Sequence, residues 1–244
     1  MIKYFILAFL IGAGCMACSS YKIEKIKYAQ IEVDSTFVEN AEISAIIAPY
    51  SDSLKEEMDE VIGYAKGNFF KARPAGELGN LVAEITREYA LNQIKLDTDI
   101  PVISILNNGG LRSPISEGKV SIGDIFKLMP FDNTIVVLRF KGEVLKEIFS
   151  YLEDRKGEPV AGLQYGDGLF KIVDCQPNEL PEYVFVVTTD YLANGGDNMT
   201  FMSSSDQRIN TDALLRDVII QYVKANKTLQ PNDYSEERLN FRNE

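Results

Sequence analysis

The chain has 244 residues, 45% of them hydrophobic, with a net charge of −11 and a pI near 4.7. That size allows one large domain or two small ones with a substantial core, and the acidic balance disfavours a general nucleic-acid binder, which needs a basic face. There is no histidine, which argues against metal centres and nucleophile–base pairs built on imidazole, and no compact Asp/Glu motif such as an EF-hand loop is present.

Met1-Ile2-Lys3 gives one positive charge, and residues 4–14 form an apolar run of signal-peptide length, short for a bilayer span. The run meets Cys15-Met16-Ala17-Cys18-Ser19-Ser20. A cysteine after a small residue at such a boundary resembles a bacterial lipoprotein signal. Cys18 is the expected acylated residue, because Ala17 precedes it and polar residues follow. Cys15 is the alternative, and an ordinary cleaved secretory signal is the other reading. The expected organisation is a lipoprotein-type signal peptide over 1–17, a tether and first strand over 18–42, and one domain over 43–244. The protein is then exported and lipid-anchored to a bacterial membrane, in the periplasm or at the cell surface. The third cysteine, Cys175, closes the run Phe170-Lys171-Ile172-Val173-Asp174 and reads as a half-buried strand residue. It leaves no internal disulfide framework in the folded part.

Residues 31–37 alternate apolar and polar, which predicts a short strand. Leu54, Met58, Val61 and Ile62 recur at helical spacing and predict a helix over 41–59, with Pro49 marking a kink or a late start. A strand over 61–70 follows. Leu78, Leu81, Val82, Ile85 and Tyr89 mark an amphipathic helix. The apolar run 100–106 predicts a buried strand. Gly118 to Ile122 turns into an extended segment, and Ser121 is placed to cap a helix over 123–128. Residues 134–140 alternate as a strand should, and Leu145, Ile148, Phe149 and Leu152 predict a helix starting after Gly142. Residues 157–168 are glycine-rich and read as loop. Strands are expected over 170–173 and 183–188, and a last helix carries Leu214 to Val223. Strands and helices mingle without regular βαβ alternation, so the fold class is α+β with a mixed sheet and flanking helices.

Three loop stretches draw attention. Asn107-Asn108-Gly109-Gly110-Leu111-Arg112 opens directly after a buried strand. Its glycines suit positive φ or close approach of a ligand; its amides offer donors and acceptors, and its arginine offers a fork for an anion. Pro130-Phe131-Asp132-Asn133 precedes a strand. Asp190-Tyr191-Leu192-Ala193-Asn194-Gly195-Gly196-Asp197 follows one. Two loop aromatics with Asn, Asp and Arg nearby suit a nucleotide: the base stacks between rings, an amide reads it, a carboxylate accepts from the ribose and a guanidinium holds the phosphate. Each residue also has a plainer reading. Phe131 and Tyr191 could be core aromatics, Asp197 a turn cap, and Arg73, ahead of the helix at Leu78, a surface charge.

Several of these runs, in this order, resemble the C-terminal domain of the 5'-nucleotidase/UDP-sugar hydrolase family. They are Leu78-Gly79-Asn80-Leu81-Val82-Ala83, the 107–112 loop, Gly118-Lys119-Val120-Ser121, Pro130-Phe131-Asp132-Asn133-Thr134, Phe140-Lys141-Gly142-Glu143-Val144-Leu145, Gly162-Leu163-Gln164-Tyr165 and the 189–197 signature. The resemblance runs from about Ile43 to the C-terminus. It implies that Phe131 and Tyr191 sandwich the base, Asn107 contacts it, Asp197 binds the ribose, and Arg112 and Arg73 bind phosphate. Tyr191 stands where the family often has Phe. Family members also carry an N-terminal metallophosphatase domain with a two-metal site of Asp, His and Asn, which this histidine-free sequence does not supply. The expectation is therefore a substrate-binding, specificity subunit of a split 5'-nucleotidase, acting in nucleotide catabolism. It would hold no cofactor of its own, and a separate metallophosphatase chain would hold the divalent metals. The alternative is a non-catalytic nucleoside- or nucleotide-binding surface lipoprotein.

Overall fold

A computed structural model describes residues 38 and 40–241. The chain separates into a unit over residues 1–47 and a unit over 48–244. The signal segment, Cys18 and the strand expected over 31–37 fall outside the described residues.

Helix α1, Ala41–Met58, runs through Pro49 without a break. None of its residues is buried, and Leu54 is 57% exposed. The helical spacing read through Val61 and Ile62 therefore crosses an element boundary: both residues belong to β1, Val61–Ala65. That strand is shorter than its apolar run suggests. It ends before Gly67, and Phe69 then pairs alone with Ile115 and is fully buried.

The second unit is built on a five-stranded mixed sheet in the order β5-β2-β8-β4-β9. Its strands are β2 Val102–Ile105, β4 Thr134–Lys141, β5 Val160–Ala161, β8 Tyr183–Thr189 and β9 Gln207–Leu214. β2 and β8 run parallel, and β4 is antiparallel to both β8 and β9. Alternate residues of the central strands enter two separate cores. Val102, Val137, Phe185 and Val187 face one core, shared with helices α2 (Glu77–Gln93), α3 (Ile122–Leu128) and α6 (Leu215–Asn226). Ile103, Ile105, Val136, Leu138, Val184 and Val186 face the other, shared with α4 (Val144–Asp154) and strand β6 (Leu163–Gly166). Burial on both faces is why β8 reads as a continuous apolar run.

Two smaller sheets complete the unit. β3, Gly118–Ser121, lies beside β1, which also pairs with β10, Thr228–Leu229. β6 lies between β7, Leu169–Ile172, and β11, Leu239–Asn240. The glycine-rich stretch read as loop thus contains β5 and β6. Gly162 and Gly168 sit between strands at positive φ, Gly166 ends β6, and Leu163 and Tyr165 are buried. Cys175 lies in the turn after β7 rather than in the strand, and burial raises its thiol pKa.

Candidate functional site

All three loops leave the central sheet at one end. β2 and β8 are parallel, so the loop after β2 and the loop after β8 emerge together. β4 is antiparallel to β8, with Ile135 opposite Thr189, so the segment before β4 lies beside the segment after β8. A rigid sheet presents three loop stretches at one rim, a common way for a fold to assemble a site. The main chain also ties them together: the Thr134 N–H donates to Asp190 Oδ1 at 3.1 Å, joining the Phe131 segment to the Tyr191 segment.

The three stretches enclose a cavity of about 360 Å³ lined by Asn107, Gly109, Gly110, Arg112, Phe131, Asn133, Tyr191 and Asp197. Phe131 and Tyr191 are 42% and 46% exposed, so neither is a core aromatic. The structure thus brings together five of the six residues singled out in the sequence. Arg73 is not among the lining residues. Its guanidinium donates to the carbonyls of Arg155 and Gly157 and pairs with Glu158 Oε1 at 2.9 Å.

The loop after β2 is held from behind. Glu158, 1% exposed, accepts the Asn108 N–H at 2.6 Å through Oε2, while its Oε1 faces Arg73 and also Arg155 at 3.3 Å. Lys71 Nζ donates to the Leu111 carbonyl at 3.1 Å, and Leu111 is fully buried. Gly109 and Gly110 do not take positive φ; Gly110 is needed for close approach. The Asn107 side chain folds over it, and a Cβ there would lie 2.9 Å from Asn107 Oδ1. Arg112 is exposed, with Nη1 3.4 Å from the Gly109 carbonyl, so most of its donors face solvent at the cavity mouth.

After β8 the chain forms a short helix, α5, Asp190–Ala193, capped by the Thr189 hydroxyl. Gly195 then turns through φ 87°, and Asp197 itself is left-handed at φ 51°. This brings Asp197 back onto Tyr191 and onto the first loop. Asp197 Oδ1 accepts the Tyr191 hydroxyl at 2.9 Å, and Oδ2 accepts Asn107 Nδ2 at 2.6 Å. Arg155 Nη2 is 3.9 Å from the same Oδ2, and the Tyr151 hydroxyl donates to the Asp197 carbonyl at 3.1 Å. Burial, with the nearby Glu158 charge, pushes the Tyr151 phenol up to about 12, so it stays a donor at neutral pH. Asp197 is therefore the joint between two loops, and it remains part-exposed beside the rings.

Asn133 lines the cavity too, two residues beyond Phe131. It lies inside the run that carries the family resemblance, which is the signal that could have singled it out. Glu158, Arg155 and Tyr151 lie behind the site, and no local pattern marks them. Their part depends on contacts such as the 50-residue separation between Asn108 and Glu158.

Residues 61–179 match the family model for the 5'-nucleotidase C-terminal domain. Over that span the chain is similar to a 5'-nucleotidase C-terminal domain. It is 26% identical over 233 residues to a 5'-nucleotidase of Diplobatis ommata, covering 82% of this chain and 40% of that protein. It is also 26% identical over 242 residues to a human 5'-nucleotidase, covering 82% and 41%. Among solved structures, a 5'-nucleotidase precursor from Thermus thermophilus aligns with a TM-score of 0.68 at 25% identity, over 82% of this chain and 43% of that one. The chain thus spans about 40% of the length of these relatives. The α+β class and mixed sheet expected from the sequence agree with that structural likeness.

Proposed function

We propose that this chain is the nucleotide-recognition half of a split phosphoester hydrolase of nucleotide catabolism. The base stacks between Phe131 and Tyr191, and Asn107 reads its edge. Asp197 accepts from the ribose hydroxyls, and Arg112 holds the phosphate at the mouth. Arg73 acts at one remove, as a partner of Glu158, rather than as a phosphate ligand. The observation that carries this reading is the cavity itself. Two part-exposed rings from segments 60 residues apart line it together with an amide, a carboxylate and a guanidinium.

Phosphoester hydrolysis in this family's style draws on a two-metal centre, and the residues here do not fit one. The sequence has no histidine, and among the described residues no group of three or more His, Cys, Asp or Glu side chains could hold a metal ion. We therefore assign the metals to a separate metallophosphatase chain that meets the rim bearing Arg112. Export and a lipid anchor at Cys18 complete the proposal. No helix among the described residues is long and apolar enough to cross a membrane.

The test is calorimetry with AMP, together with phosphate release in the presence of Mn²⁺. The isolated chain should bind AMP weakly, release no phosphate, and bind more tightly once a metallophosphatase is added. Turnover by this chain alone would overturn the separate-chain assignment. Tight binding that a phosphatase leaves unchanged would point instead to a capture lipoprotein.

A further inference from the structure

Behind the Phe131 segment, in the first turn of α6, lies Arg216. Its side chain is 8% exposed. Nη2 meets Asp132 Oδ1 at 2.6 Å, and Nη1 reaches the carbonyls of Phe131 at 3.4 Å and Met129 at 3.5 Å. The guanidinium carbon stands 4.2 Å from the centroid of the Phe126 ring. Nε is buried and meets no acceptor among the described residues. The neighbouring Leu215 N–H donates to the Asn133 carbonyl at 2.9 Å, so α6 grips the segment at a second point.

A guanidinium withdrawn from water is costly unless its partners compensate. Here one donor is left without an acceptor, and the ion-pair partner Asp132 is 77% exposed. Among the described residues, the hydrogen bonds of the Arg216 side chain fall between Met129 and Asp132. Pro130 in that stretch has no N–H to anchor it. A charge held at such cost against one loop fixes the loop's shape.

We infer that Arg216 is the positioning residue of the stacking site. It fixes the backbone of 129–132 so that the Phe131 ring is already in place when the base arrives. Preorganisation of this kind raises affinity by lowering the ordering cost of binding. The inference rests on the nucleotide reading above and adds a residue that does not line the cavity.

The experiment is a double-mutant cycle on the full chain, read by AMP calorimetry, with Arg216→Met, Phe131→Ala and both together. Hydrogen–deuterium exchange across 129–133 is followed in parallel. Arg216→Met should weaken AMP binding about tenfold, an ordinary coupling for residues that act through one another. It should add nothing once Phe131 is alanine, and it should speed exchange in the segment. Asp132→Asn, on an exposed side chain, should shift both readouts in the same direction and carries the test if Arg216→Met does not fold. AMP affinity within about twofold of wild type in the folded variants, or an equal loss on the Phe131→Ala background, would overturn the inference. Wild-type protein that fails to bind AMP would instead remove the site reading, and this inference with it.

Discussion

At the scale of single residues, the glycine pair before Asp197 separates two kinds of constraint. Gly195 takes φ 87° in open space, where an added Cβ meets nothing within 4 Å. Gly195→Ala should therefore destabilise by backbone strain, about 1–2 kcal/mol, without moving the site. Gly196 is a matter of contact: its Cβ would lie 2.5–2.7 Å from the ring atoms of Tyr191. Gly196→Ala should displace the ring and cost AMP affinity while changing the thermal midpoint less than Gly195→Ala. Thermal unfolding and calorimetry on the two variants check this, and the reverse ordering of effects would count against the ring placement. The Tyr191 ring lies close against Gly196, and its hydroxyl, which a Phe would lack, donates to Asp197 Oδ1.

At the scale of elements, α3 shows how a local signal becomes a local structure. Ser121 Oγ accepts the Asp124 N–H at 3.2 Å, and the Asp124 carboxylate accepts the Ser121 N–H at 3.0 Å, a complete capping box. Ser121→Ala should cost about 1 kcal/mol in chemical denaturation. Burial alone would raise the Asp124 carboxyl, but the bonds from the Ser121 N–H, Lys127 and the Ser121 hydroxyl outweigh it and hold the pKa below 3.8. The folded value is the lower one, so the stabilisation is present above the unfolded pKa and is lost as pH falls through the folded value. The stability gap between wild type and Asp124→Asn should be level above about pH 5 and close on acidification. A gap that widens toward acid would contradict the cap. Elements with a clean period, such as α2 and β4, were legible in the sequence because burial imposes that period. β9 was not: its pattern is largely exposed and polar, and its place comes from the ladder offered by β4. β5 and β6 were hidden by the glycines around them and by Gly166 at the end of β6. The rim was legible in part. The lining residues lie on loops with distinctive chemistry, whereas Glu158 and Arg216 act through contacts between segments distant in sequence.

At the scale of the whole molecule, the chain is about 40% of the length of its 5'-nucleotidase relatives, and the match covers most of the loops that line the cavity. The proposed anchor makes its own prediction: the mature protein from a bacterial membrane should carry a lipid on Cys18, detectable by mass spectrometry and lost in Cys18→Ser. An N-terminus cleaved elsewhere and unlipidated would remove the anchor without touching the nucleotide site. The central claim, that a base lies between Phe131 and Tyr191, is tested most directly by proton NMR of AMP bound to the chain. Stacking between two rings should move both adenine ring protons upfield, with Phe131→Ala and Tyr191→Ala each abolishing a large part of the shift. AMP bound with unshifted adenine protons, or shifts that survive both substitutions, would contradict it.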